Sequence, residues 1–106
     1  MQLQYPAEID AHLSFAALDN AEVTVTCEGK SIDGRIGFAD SFGTIPFFTQ
    51  GSDPLADETE VCASYRMGNQ LLEFVTRVVR GVGNRWQLRR PHNISVTYTD
   101  SSDLPH

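Results

Sequence analysis

Apolar residues recur first at spacings of three and four and then at every second position, and this change of period divides the chain into one helix followed by strands. Between Pro6 and about Leu18, the residues Ile9, Leu13, Ala16 and Ala17 fall on one stripe of a 3.6-residue period, as in an amphipathic helix. Pro6 suits the first helical position, where its missing N–H has no intrahelical partner to lose. Glu8 and Asp10 favour the positive end of the helix dipole, and Asp19-Asn20 favours a stop.

From Ala21 the period becomes two. Val23, Val25 and Cys27 alternate with Glu22, Thr24, Thr26 and Glu28; Gly29-Lys30 then makes a tight turn, and Ile32, Gly34, Ile36 and Phe38 share one face of a second strand. Residues 22–39 therefore read as a β-hairpin. A third strand, Thr44 to Thr49, contains Pro46, which cannot donate to a ladder and so predicts an edge strand or a bulge. Gln50 to Glu60 is an acidic connection without hydrophobic period. Val61, Ala63 and Tyr65 mark a fourth strand, and Gly68-Asn69 a turn. Leu72, Phe74, Thr76 and Val78 then mark a fifth strand to Arg80, Gly81 to Asn84 a turn, and Trp86 and Leu88 a sixth strand that Pro91 stops. Ile94, Val96 and Tyr98 add a last one. One helix and six or seven short strands, with turns every eight to twelve residues, predict a mainly β fold, a small antiparallel barrel, and not a doubly wound sheet.

The length of 106 residues and 41% hydrophobic content suit one core, so the expectation is a single domain over 1–106. Its helix spans about 6–18, its barrel about 21–98, and residues 99–106 form a polar tail expected to fray. No apolar run is long enough to cross a bilayer, and the start MQLQYPAEID lacks the basic and apolar regions of a signal peptide, which predicts a cytoplasmic protein without membrane insertion. A net charge of −6 disfavours a nucleic acid polymer or an anionic membrane as partner.

That charge is unevenly spread. Residues 1–63 hold eleven acids against Lys30 and Arg35, whereas residues 64–99 hold six arginines against Glu73 alone. Cys27 and Cys62 have neither a Cys-x-x-Cys spacing nor paired histidines nearby and read as buried thiols. His12, His92 and His106 lack ligand-like spacing, so no metal is expected. Nor does any Ser or Cys stand in a nucleophile signature, so no catalysis is expected. The acids Asp53, Asp57, Glu58 and Glu60 lack the order of a calcium loop, and the glycines Gly37, Gly43, Gly51, Gly81 and Gly83 read as turn glycines and not as a phosphate fingerprint. Trp86 alternates in phase with Leu88 and belongs to the core. Arg77, Arg80, Arg85, Arg89 and Arg90 lie on two strands that a turn should pair. There they either hold phosphate or carboxylate bidentately or stand as solvated outward positions balancing acids elsewhere.

The order of these elements carries a family resemblance. The stretch PAEIDAHLSFAALDNAEVTVTCEGKSIDGRIGFAD resembles the opening of the amino-terminal domain of the bacterial flagellar-brake proteins of the YcgR type, where a short helix leads into a split barrel. LLEFVTRVVRGVGNRWQLRRPHNI is similar to the end of that domain. Members of that family continue into a PilZ domain, which binds cyclic di-GMP through an Arg-x-x-x-Arg linker and an Asp/Asn-x-Ser-x-x-Gly turn. Arg85-Trp-Gln-Leu-Arg89 has the first spacing and Asn93-Ile-Ser95 begins the second, with Tyr98 where the glycine would stand. The two pieces lie close together, the first falls inside an expected strand, and no full PilZ barrel is expected to follow.

The resemblance implies a non-catalytic regulatory module related to cyclic di-GMP effectors, acting by contact with a flagellar or cyclic di-GMP signalling protein on motility or surface behaviour. It also implies an alternative, a PilZ-like receptor holding cyclic di-GMP on Arg85, Arg89 and Arg90, with Arg77 and Arg80 beside them; no other cofactor is expected. A third reading is a homodimer paired through the edge strand Thr44 to Thr49.

Overall fold

The computed structural model describes residues 1–40, 43–50, 57–82 and 84–98. Chain order is β1 (Gln2–Leu3), α1 (Pro6–Leu18), β2 (Val23–Cys27), β3 (Lys30–Ile36), β4 (Thr44–Thr49), β5 (Glu60–Met67), β6 (Gln70–Val82), β7 (Arg85–Arg89) and β8 (Ile94–Tyr98). The sheet runs β1-β8-β6-β5-β2-β3-β4-β7, and β7 pairs back onto β6. Six strands thus close an antiparallel barrel, with β8 and β1 added outside the seam, which is the mainly β, small antiparallel barrel expected from the period. The tail 99–106, most of the acidic connection, Gly51 and Gly83 lie outside the described residues.

Local chemistry sets the element boundaries. In α1, Pro6 occupies the first turn, and Asn20 takes a left-handed φ of 53° past the C-terminus. The Asn20 N–H donates to Ala17 O at 3.2 Å and the Ala21 N–H to Ala16 O at 3.0 Å, the paired bonds of a Schellman stop. The β2–β3 hairpin turns at Glu28 and Gly29, with φ of 50° and 81°, the doubly left-handed turn that suits the twist of paired strands. Val23, Val25, Ile36, Ile45, Phe47, Val61, Ala63, Leu72, Phe74, Val78, Trp86 and Leu88 face inward. Ile9, Leu13 and Ala16 of α1 join the same cluster.

Several expectations need correction. The helix is not amphipathic in the simple sense: Phe15 and Leu18 are 57% and 70% exposed, so it carries apolar side chains on both sides. Nor is β4 an edge, since it pairs with β3 and with β7. Pro46 is tolerated because its carbonyl accepts the Gly37 N–H at 2.9 Å, so its donorless nitrogen faces the place where β3 has ended. The edge-strand dimer loses its edge. Cys62 is exposed and Cys27 half-buried, because the period that buries Val61 and Ala63 turns Cys62 outward. Phe38 lies beyond β3 and is exposed, as is Tyr98, and Gly81 and Val82 continue β6 where a turn was expected. Strand β1 carries no period in its two residues and was not anticipated.

The centre of the barrel is aromatic. Phe47 and Trp86 are cross-strand partners, fully buried, with ring centroids 5.3 Å apart at 51°. Gly34 lets β3 approach them: a Cβ there would stand 2.2 Å from Phe48 O and 2.8 Å from the Phe47 ring. Backbone cannot yield as a side-chain tip can, so Gly34→Ala should destabilise the fold by about 3 kcal/mol, read as a lower urea midpoint at unchanged slope.

Tyr65 is buried, its hydroxyl has no partner among the described residues, and burial pushes its phenol far above its ordinary value. With the folded pKa raised, the unfolded chain releases its proton first, so stability held below about pH 10 falls as pH rises beyond it, by roughly 1.4 kcal/mol per unit. Tyr65→Phe should remove that decline, and at neutral pH should cost nothing or stabilise by up to about 1 kcal/mol; paired unfolding curves at pH 7 and in the alkaline range check both.

Candidate functional site: the arginine strands

Strand β6 has 13 residues and offers one edge to two partners. Its start, Gln70 to Glu73, pairs with β8, and its end, Val78 to Val82, pairs with β7. Between these ladders the link Arg90 to Asn93 crosses from β7 to β8, and the Thr76 hydroxyl donates to Arg89 O. A groove of about 380 Å³ opens under this link, bordered by Glu60, Val75, Arg77, Arg89, Arg90 and His92. A second hollow of about 290 Å³ shares Val75 and Asn93 with it and continues toward Cys62 and Glu73.

The five sequence-predicted arginines do not gather in one place. Arg77, Arg89 and Arg90 border the groove, while Arg80 and Arg85 stand farther along the β6–β7 hairpin, opposite Gln87 and Val82. Two of the three groove arginines form ion pairs, and the third, Arg77, has an acid only as its register partner. Arg77 is the cross-strand partner of Glu60, Arg89 Nη2 lies 3.2 Å from Glu58 Oε2, and Arg90 Nε lies 2.8 Å from Asp10 Oδ1. The last pair joins the end of β7 to α1, and its two contacting atoms are shut off from water although both side chains are partly exposed.

Arg85 and Arg89, the Arg-x-x-x-Arg pair, both point outward from β7 but lie roughly 13 Å apart along an extended strand. Their guanidinium groups go to different neighbours, Arg85 over the Phe48 ring at 5.6 Å and Arg89 to Glu58. The outward, solvated reading of the arginines thus fits their alternation with buried Trp86 and Leu88. Sequence reasoning missed Asp10, Glu58 and Glu60 as partners, because nothing in a one-dimensional pattern links α1 or the acidic connection to β7. It also missed Phe48, whose place beside Arg85 follows only from the β4–β7 register. Among the described residues no three His, Cys, Asp or Glu side chains converge as for a metal, and no helix is long and apolar enough to cross a membrane.

Solved structures share this fold. The K. pneumonia MrkH–c-di-GMP complex superposes with a TM-score of 0.83 at 14% identity, over 95% of this chain and 45% of that one. The apo state of K. pneumonia MrkH gives 0.79 at 14% identity, over 92% and 44%. A third structure, of MrkH described as a c-di-GMP-dependent transcription regulatory factor, gives 0.78 at 15% identity, over 93% and 42%. The chain spans less than half the length of each. No protein-family model matches the chain, and no curated protein does.

The Asp10 and Arg90 ion pair ties α1 to the barrel wall just past the end of β7. Asp10→Asn and Arg90→Gln should each loosen that tie, and a double-mutant cycle by urea unfolding should give a coupling of about 1 kcal/mol, at the upper end for partly exposed pairs.

Proposed function

We propose that the chain is a non-catalytic regulatory module of the cyclic di-GMP effector kind, working by contact with another protein. Its fold likeness to MrkH, a c-di-GMP-dependent regulator, supports the class. The observation that carries protein contact over direct ligand capture is the partial neutralisation of the groove: Arg89 and Arg90 each form an ion pair with a carboxylate, and Arg77 stands opposite Glu60 in register. A phosphate within about 6 Å of a retained carboxylate meets roughly 2–3 kcal/mol of repulsion at an effective dielectric of about 20, which offsets most of what a guanidinium would contribute. On this reading the chain is one domain over residues 1–106, related to the amino-terminal domain of the YcgR type. It acts in the cytoplasm on a flagellar or cyclic di-GMP signalling partner, and so on motility or surface behaviour.

The second reading is a receptor that holds cyclic di-GMP itself on Arg77, Arg80, Arg85, Arg89 and Arg90. The outward spacing of Arg85 and Arg89 on one strand and the likeness to a c-di-GMP complex favour it. Titration calorimetry with cyclic di-GMP separates the two. Protein contact expects no binding heat at submillimolar ligand, whereas saturable heat that Arg89→Ala abolishes would replace it with the receptor.

A further inference from the structure

Strands β4 and β7 contain no acidic residue, in a chain whose net charge is −6. Register builds rows across their outer faces. Phe48 is the partner of Arg35 on β3 and of Arg85 on β7; in the next row Pro46 faces Gln87, which faces Arg80 on β6. Arg80 is a diagonal neighbour of Arg85, roughly 7–8 Å away between Cα atoms. Arg85 lies over the Phe48 ring, no ion pair engages Arg80 or Arg85 among the described residues, and Phe48 is 41% exposed. On its other side Phe48 meets Arg35, which Glu22 holds at 3.6 Å, so the uncompensated charge lies on the Arg85 and Arg80 side; an exposed aromatic beside such guanidinium groups is the composition of an interface hot spot.

Beside Phe48 lies a hollow of about 420 Å³ whose lining includes Thr49 and, on its far side, Glu22 and Asp33. Thr49 is 3% exposed and its hydroxyl has no partner among the described residues. Arg35, which also lines the hollow, takes up Glu22 at 3.6 Å, leaving Asp33 to disfavour an acid there, and Arg85 and Arg80 attract one at the other end. The surface therefore has a direction: apolar insertion beside Phe48, then negative charge toward the β6–β7 hairpin.

We propose that this wall docks an acidic segment of a partner protein, with an apolar side chain seated beside Phe48 and carboxylates bound by Arg85 and Arg80. The proposal rests on the protein-contact reading above and names its surface and the chemistry of its partner. It uses none of the groove arginines, two of which, Arg89 and Arg90, are already ion-paired.

Fluorescence anisotropy of two labelled peptides against the full chain tests it, one alternating Glu with Phe and one alternating Lys with Phe. The Glu peptide should bind at least tenfold tighter. Arg80→Glu combined with Arg85→Glu should weaken it about tenfold or more, and so should Phe48→Ser, with the thermal midpoint held within a few degrees because these side chains are exposed. Lys30→Glu, at the β2–β3 turn on the opposite end of β3, makes the same charge change per site and should shift affinity less than twofold.

Equal binding of the two peptides overturns the proposal, as does a loss with Lys30→Glu as large as with Arg85→Glu. So does a sedimenting dimer that Phe48→Ser dissociates, which would seat a second copy on the wall. Failure here with calorimetry silent moves protein contact to another face; binding heat with cyclic di-GMP instead removes the reading on which the proposal rests.

Discussion

The structure depends on β6 using a single edge twice. A strand of 13 residues is long for a small barrel, and pairing it with one neighbour along its whole length would flatten the sheet. Instead the edge passes from β8 to β7, and the β6–β7 register slips between Val78 and Arg80. A slip of this kind adds a residue on one strand, bends it and increases its twist, which is what curls β7 back to close the six strands. Closure removes the edges that β7 and β6 would otherwise offer to other chains. The same handover leaves the gap under the Arg90 to Asn93 link, so the groove is a by-product of closing the barrel.

Closure also fixes which side chains share an environment. With β7 between β4 and β6, Trp86 meets Phe47 and Leu88 meets Val78 and Ile45, so the largest aromatic lies at the barrel centre. Gly34 belongs to this arrangement, because the Phe47 ring and the Phe48 carbonyl occupy the space its side chain would need. The helix completes the enclosure with Ile9, Leu13 and Ala16, and Asp10 secures it to the wall through Arg90. Packing sets the position of α1, and the ion pair sets its orientation against β7.

Much of this was legible from period alone. Alternation located β2, β3, β5, β7 and β8, placed Trp86 and Leu88 inside, and put the arginines of β7 outside. Where it failed, a fact about neighbours decided the matter. Pro46 argues for an edge only if its nitrogen would have faced a strand, and here β3 stops first. Gly81 suggests a turn until β7 supplies a partner for it in Trp86. Cys62 is small and apolar enough for a core, but its phase on β5 is that of Ser64, not of Val61. Asn20 past α1 and Gly29 at the hairpin were visible, since few other residues take a left-handed conformation without strain, but the turn lies at Glu28 and Gly29, one residue before the expected Gly29-Lys30, because Lys30 already pairs with Cys27.

The arginines show where a pattern of charge stops being informative. Alternation along β6 and β7 states that Arg77, Arg80, Arg85 and Arg89 point outward; it does not state what stands opposite. The fold supplies that: Asp10 on α1 and Glu58 before β5, both in the acidic half of the chain, form ion pairs with Arg90 and Arg89, and Glu60 stands opposite Arg77 in register. Arg80 and Arg85 escape because their cross-strand neighbours are Gln87, Val82 and Phe48, none able to neutralise them. A basic stretch that looked continuous in sequence is thus divided into a groove part, where Arg89 and Arg90 are ion-paired, and a hairpin part beside an exposed aromatic. The hairpin part sets guanidinium groups without an ion pair among the described residues beside an exposed aromatic, which is why the proposed docking surface lies on the outer wall of β4 and β7.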